Sequence, residues 1–318
     1  MQELFKLNYE RKRSRYLEGY CSPFLDRIVF KKIRRLLGGK LRGVLSGGAP
    51  LNAETQRFMN ICMCCPVVQG YGLTETCGAA CVADINDLST GTVGPPVRCS
   101  DIALREWPEG GYSPFNDPPQ GEILISGENI SPGYWKQPEK TAEDFITYKG
   151  KVYFATGDIG QKRDDGSLLI IDRKKDLVKL QHGEYVSLAK VECALLNCPI
   201  VDNICVYGSS MEDSVVALVV PNQKHLEKIA ESEGVSTSEM KAMCEDKKVV
   251  AAYKKQLEEH SKKSKLSRTE IPAAIHLCPD IWTPDSGLLT EALKLKRKPI
   301  QTAYQKTLDD LYKQLRKN

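Results

Sequence analysis

Apolar residues recur at helical intervals through the first part of the chain: Leu4, Leu7, Tyr16 and Leu17, then Phe24, Leu25, Ile28 and Val29, set among Lys and Arg. This spacing predicts helices over residues 1 to about 40. Leu41–Ser46 then reads as a short strand running into the glycine turn Gly47-Gly48-Ala49-Pro50, with an amphipathic stretch from Asn52 to Ile61 behind it. Strand, glycine turn and helix in that order are an α/β signature. Val67-Val68-Gln69-Gly70-Tyr71-Gly72 repeats the theme, a brief strand opening into a glycine-bounded loop. From Gly91 to Ile171 the pattern changes to short runs such as Gly121–Ile125 and Gly166–Ile171, separated by Gly and Pro, which predicts a small antiparallel β region. Beyond Asp172-Arg173-Lys174-Lys175-Asp176 the pattern shifts once more. Strands at Ile204–Tyr207 and Val215–Val220, and polar helices from about Gln223 to Leu266, predict a separate α+β unit. The fold class expected is therefore α/β with an α+β C-terminal domain, divided as residues 1–174, with a β subdomain at about 91–171, and 175–318.

Composition narrows the function without naming it. Across 318 residues, 41% hydrophobic and 27% charged residues are ordinary for a globular chain, and a net charge of +4 gives no reason to invoke a polyanion. Lys247-Lys248, Lys254-Lys255 and Lys262-Lys263 read as a solvated helical face, with too few interleaved aromatics for nucleic acid. The twelve cysteines lack the even spacing of a secreted framework, so an intracellular, reducing setting is expected. Cys62, Cys64 and Cys65 include a CxxC spacing, but no second pair follows at zinc-site distance. The longest apolar run, Val215–Val220, is far short of the ~20 residues of a membrane helix, and the start has no apolar signal core.

Three short segments could carry chemistry together: Tyr71-Gly72-Leu73-Thr74-Glu75, Thr156-Gly157-Asp158, and Asp172–Asp176 with Gly183-Glu184 beyond it. Taken singly each has a plain alternative. Thr74 could merely cap a helix with Glu75 in its first turn, Thr-Gly-Asp could be only a turn, and Arg-Lys-Lys a solvated face. Together they suit nucleotide activation. Glu75 is a hard oxygen ligand of the type Mg2+ takes, Thr74 can donate to a phosphate oxygen, and Asp158 can accept from vicinal ribose hydroxyls. Arg173 offers a planar fork to ribose or phosphate, and Tyr71 a flat face for adenine.

The stretch Gly150–Gly160, with Thr156-Gly157-Asp158, the stretch Ile171–Leu180, with Asp172-Arg173-Lys174-Lys175-Asp176, and Gly183-Glu184-Tyr185-Val186 together resemble the fatty acyl-CoA synthetase signature of the adenylate-forming, AMP-binding superfamily, in particular its eukaryotic long-chain members. Leu45–Pro50, Gln69–Glu75 and the closing Leu293-Lys294-Leu295-Lys296-Arg297 match the same family in the same order, so the resemblance covers nearly the whole chain. It implies a long-chain fatty acid:CoA ligase that uses ATP and CoA as co-substrates and Mg2+ as cofactor, by way of acyl-AMP. It also implies an ATP/AMP-binding set of Gly47, Gly48, Gln69, Gly70, Tyr71, Gly72, Thr74, Asp158 and Arg173, and places Mg2+ on Glu75. Lys294 corresponds to the lysine that reaches the reacting carboxylate and phosphate, where its cation would stabilise developing charge. Lys175 matches the hinge of the small domain, and Gly183 with Glu184 the segment near the pantetheine arm. Gln181-His182 makes that last loop one residue longer than in many bacterial relatives, which suits the long-chain subgroup.

The family's Ser/Thr/Gly-rich phosphate loop ending in Pro-Lys-Gly is not found. Ser89–Pro96 resembles it but has no lysine and follows Tyr71–Glu75, an order that belongs to a structural Gly-Pro turn. The expectation is thus a partial chain, inactive alone, with the phosphate loop, much of the fatty-acid tunnel and any membrane anchor upstream. The resemblance implies that the full-length protein sits on the cytosolic face of the endoplasmic reticulum or another organelle. A non-catalytic fragment or isoform acting through protein interactions is the alternative.

Overall fold

The computed structural model describes residues 2–235 and 239–316. The chain divides into two compact units, with the boundary between Ile171 and Asp172.

The first unit opens with three helices, α1 (Gln2–Leu17), α2 (Pro23–Ile28) and α3 (Lys31–Leu36). Strand β1 (Val44–Ser46), helix α4 (Ala53–Met63) and strand β2 (Val67–Tyr71) follow, and β1 pairs parallel with β2. Asn52 starts α4 by accepting hydrogen bonds from the Glu54 and Thr55 amides, and Cys64 ends it in the left-handed conformation. Strand β3 (Cys81–Val82) adds antiparallel to β2. The rest of the unit is antiparallel: β4 (Ser100–Arg105), β5 (Gln120–Gly127), helix α5 (Pro138–Asp144), β6 (Phe145–Tyr148), β7 (Lys151–Lys162) and β8 (Leu168–Arg173). The strand order is β4-β5-β7-β6, with β8 also on β7. Ile123, Ile125 and Leu168 form its core with Ala80, Cys81 and Val93, and Tyr71 and Leu73 pack against them. The Ser89–Pro96 segment is a structural turn, as its lack of lysine suggests. Thr92 Oγ1 donates to the Leu168 carbonyl and accepts from the Gly94 amide, and Gly94 has φ +82.

The second unit begins with the hairpin β9 (Leu177–Lys179) and β10 (Tyr185–Ser187), followed by α6 (Leu188–Leu195). Strands β11 (Val201–Tyr207) and β12 (Val216–Pro221) pair antiparallel. Helices α7 (Gln223–Ser232), α8 (Met240–Glu245) and α9 (Lys247–Lys263) precede β13 (Ala274–Leu277), which pairs parallel with β12, and α10 (Arg297–Leu315) closes the unit. The unbroken apolar run of β12 follows from its central place. Val215, Ala217 and Val219 enter the core made with α6, α7 and α9, whereas Val216, Leu218 and Val220 enter a second core with Trp282, Ile300 and Leu308. Helix α9 buries Val249, Tyr253, Leu257 and Ser261 at every fourth position, and Lys247, Lys248, Lys255, Lys262 and Lys263 are exposed on its other side.

The cysteines of the described residues are free thiols. Cys62 is fully buried and burial pushes its thiol up to about 11, so it stays protonated. Among the described residues no group of three or more His, Cys, Asp or Glu is arranged to hold a metal ion, and no helix is long and apolar enough to cross a membrane.

Candidate functional site

The turn after β1 and the loop after β2 are glycine-dependent for steric reasons. A Cβ on Gly47 would meet the Gly70 carbonyl at 3.2 Å, and Gly48 has φ +80, where a side chain is strained. A Cβ on Gly72 would lie 1.7 Å from the Gly78 carbonyl oxygen, so the loop can fold back on itself only with glycine there. The loop is closed by a 2.7 Å bond from the Ala80 amide to the Tyr71 carbonyl. Within it, Thr74–Thr76 forms a short 3-10 turn. The hydroxyl that braces the turn is that of the buried Thr76, which accepts from the Leu73 amide at 2.9 Å, so the alternative reading of Thr74 as the cap does not hold. Thr74 is exposed.

Tyr71 Oη donates to Asp158 Oδ2 at 2.7 Å, joining residues 87 positions apart. Asp158 lies on β7 and is 3% exposed, and its amide donates to Thr156 Oγ1, which itself donates to the Ile123 carbonyl at 2.8 Å. Gly157, between them, takes φ +71. Thr156-Gly157-Asp158 is therefore a kink in a strand that presents Asp158 to β2 from a buried base.

Glu75, half-buried, accepts a 2.6 Å bond from Tyr134 Oη at Oε1, and its carbonyl accepts from the Ser131 amide at 2.8 Å. Asn129 donates to the Thr76 carbonyl at 3.1 Å. The loop after β5 thus braces the Thr74–Thr76 turn from outside. Burial, and then the carboxylates of Glu75 and Asp144, hold the Tyr134 hydroxyl far above its ordinary range, so it remains a donor. A single carboxylate of this kind fits Mg2+, which takes one or two carboxylates and draws its other oxygens from phosphates and water. The Gln69 side chain is buried and donates to Gln56 of α4 at 2.9 Å.

The remaining residues named from the sequence lie beyond Asp172 in the second unit, Arg173 at the end of β8. Arg173 and Lys175 are exposed, Lys175 in the short turn Lys174–Asp176. Gly183, with φ +90, makes the tight turn between β9 and β10, where its amide donates to the Leu180 carbonyl at 2.9 Å. Glu184 accepts from Thr269 Oγ1 at 2.8 Å and pairs with His182 at 3.2 Å, and these contacts, Thr269 first, lower its carboxyl. Lys294 sits exposed at the end of a tight hairpin. Its carbonyl accepts from the Thr290 amide at 2.8 Å, its amide donates to Thr290 Oγ1 at 3.0 Å, and Leu293 takes φ +57. Three positions on, Arg297 pairs with Glu192 at 2.7 Å and Asp176 at 3.0 Å.

Two of these residues escaped the sequence. Tyr134 lies in Ser131-Pro132-Gly133-Tyr134-Trp135, where an aromatic inside a Pro/Gly loop is the only signal. Arg297 was part of a motif but had no role. Its signal is a cation in the first turn of a helix, where the dipole disfavours positive charge and a dedicated anionic partner is required.

Comparison with known proteins gives the family. The AMP-binding enzyme family model matches residues 8–135, and the model of the AMP-binding enzyme C-terminal domain matches residues 190–281. The chain is 49% identical over 289 residues to Long chain acyl-CoA synthetase 8 of Arabidopsis thaliana, covering 90% of this chain and 40% of that protein. It is 37% identical to Fatty acyl-CoA synthetase B of Dictyostelium discoideum, covering 99% of this chain and 47% of that one. It therefore spans somewhat less than half the length of the curated relatives it matches. Among solved structures, the A domain of carboxylic acid reductase from Segniliparus rugosus, in complex with AMP and a co-purified carboxylic acid, superposes with a TM-score of 0.74 at 30% identity, over 98% of this chain and 46% of that one. The fold is that of the adenylate-forming enzymes, and the chain belongs to the AMP-binding enzyme family, among relatives that are long-chain and fatty acyl-CoA synthetases.

Proposed function

We propose that these residues form the C-terminal part of a long-chain fatty acid:CoA ligase. A fatty acid carboxylate oxygen attacks the α-phosphorus of ATP, the bond to the bridging oxygen breaks, and pyrophosphate leaves with acyl-AMP formed. The CoA sulfur then attacks the acyl carbonyl, its thiol proton passes to solvent, and AMP leaves. The observation that carries the reading is the hydrogen bond between Tyr71 and the buried Asp158, four residues before Glu75 on a loop that glycine alone permits.

In this reading Asp158 accepts from the ribose hydroxyls and Tyr71 lies against adenine. Arg173 contacts ribose or phosphate, and Thr74 donates to a phosphate oxygen. Gly47, Gly48, Gly70 and Gly72 let backbone approach the nucleotide, and Gln69 holds the strand beneath it. Mg2+, when bound at Glu75, neutralises phosphate charge. Tyr134 keeps Glu75 oriented. Lys294 binds the oxygens that gain charge as the phosphorus is attacked. Residues 1–174, with the β subdomain at about 91–171, belong to the large domain. Residues 175–318 form a small lid that turns at Lys175, and Gly183 with Glu184 then border the pantetheine arm. Association of the complete enzyme with an organelle membrane is part of the same reading, through sequence other than this.

The test is palmitate-dependent exchange of pyrophosphate into ATP. In a complete enzyme, with these residues joined to the segment that precedes them in the relatives, exchange is expected and Asp158→Ala or Glu75→Gln lowers it. No exchange by the unsubstituted enzyme overturns the reading. The 318-residue chain alone, without the phosphate loop, is expected to make no palmitoyl-CoA when given ATP and CoA.

A further inference from the structure

Arg297 employs all three guanidinium nitrogens. Nε donates to Asp176 Oδ1 at 3.0 Å, one terminal nitrogen to Glu192 Oε1 at 2.9 Å and the Val206 carbonyl at 3.3 Å, and the other to Glu192 Oε2 at 2.7 Å. Its two acidic partners are not equivalent. The Glu192 side chain is 7% exposed, takes the guanidinium in bidentate fashion and also accepts the Val206 amide at 2.7 Å, so it anchors Arg297 to α6 and β11. Asp176 is 20% exposed and takes a single nitrogen. That second arm reaches the turn Lys174–Asp176, immediately beside Lys175. On the other side, Arg297 begins α10 where the Lys294 hairpin ends. The hairpin is closed at its base by the Leu289–Leu295 bridge and by the Lys296 amide on the Leu288 carbonyl at 2.9 Å.

We propose that Arg297 is a positioning residue that ties the turn bearing Lys175 to the hairpin bearing Lys294, so that rotation at Lys175 carries Lys294 with it. The proposal rests on the roles given to those two lysines above. A hinge displaces a distant side chain usefully only if nothing between them yields, and a misplacement of about 1 Å at a reacting centre can cost on the order of 100-fold in rate. The Asp176 arm removes that slack, and the Glu192 arm supplies its fixed base.

Asp176→Asn separates this role from folding, because it leaves the Glu192 anchor in place. In the complete enzyme, Asp176→Asn is expected to slow acyl-AMP formation from palmitate and MgATP by about tenfold. Thioester formation from supplied palmitoyl-AMP changes less than about twofold and the unfolding midpoint is unchanged, whereas Asp176→Glu, which keeps a charged acceptor, recovers much of the loss. In a Lys294→Ala background Asp176→Asn has no further effect, because the group it positions is gone. If Asp176→Asn slows both half-reactions equally, or slows neither while Lys294→Ala slows adenylation, the tie is overturned and the ligase reading stands. If Lys294→Ala itself leaves adenylation unchanged, the role of Lys294 falls and the tie falls with it.

Discussion

Tyr71 and Asp158 illustrate how a buried carboxylate is kept available. With 3% exposure, Asp158 meets donors of the protein in place of water, and Tyr71 is one of them at 2.7 Å. Tyr71→Phe is expected to destabilise the first unit by about 1.5–3 kcal/mol, the range for a hydrogen bond to a charged group, measured by urea unfolding of the chain. A change below about 0.5 kcal/mol would mean that the pair is not held in solution. The Glu75–Tyr134 bond makes a different prediction, because Glu75 is only half-buried. Tyr134→Phe is expected to raise the Mg2+ concentration giving half-maximal adenylation by roughly fivefold, equivalent to about 1 kcal/mol, with little change in stability. Glu75 could be named from the sequence because it stands in one of several short motifs whose order resembles that of a known family. Tyr134 could not, since its partner lies 59 positions away and proximity across strands leaves no trace in spacing.

At the scale of elements, glycines with different constraints should respond differently. Gly72→Ala forces a methyl to within 1.7 Å of a backbone carbonyl and requires the loop itself to move. Gly157→Ala meets no atom within 4 Å and suffers only the left-handed strain of φ +71, about 1–2 kcal/mol. Thermal unfolding should therefore place Gly72→Ala well below Gly157→Ala, and equal losses would contradict the close approach of the loop's two arms. Helix α4 and strands β1, β2 and β12 were readable because cap, period and apolar run coincide there. Helix α10 was not assigned, although Ile300, Tyr304, Leu308, Leu311 and Leu315 follow a helical period. Its first turn carries Arg297 and Lys298 and no acid, the reverse of an ordinary helix start, and that inversion is resolved only by Glu192 and Asp176 from elsewhere in the fold. The β9–β10 hairpin was missed for a related reason: its strands are three residues each, too short to establish alternation.

At the scale of the molecule, the second unit carries an acid poised near neutrality. Burial raises the Glu192 carboxyl to about 7, even though Arg297 beside it acts in the opposite direction. The unfolded carboxyl titrates at its ordinary value of 4.5, so between these values the folded chain binds the proton more tightly. This contribution to stability is fully present below pH 4.5 and is lost as pH rises through about 7. Glu192→Gln should flatten that part of the stability profile, and an unchanged profile would assign the dependence to other groups.

In the proposed reading the two units bring different parts of the chemistry, most of the nucleotide contacts from the first and Arg173, the hinge turn and the Lys294 hairpin from the second. The measurement that tests this division most directly is the rate of each half-reaction in a complete enzyme carrying Lys294→Ala. Acyl-AMP formation from palmitate and MgATP should fall by at least about 100-fold, the scale of losing one group that stabilises transition-state charge, while thioester formation from supplied palmitoyl-AMP stays within about threefold of the unsubstituted rate. Equal loss in both half-reactions, or none in either, would contradict it.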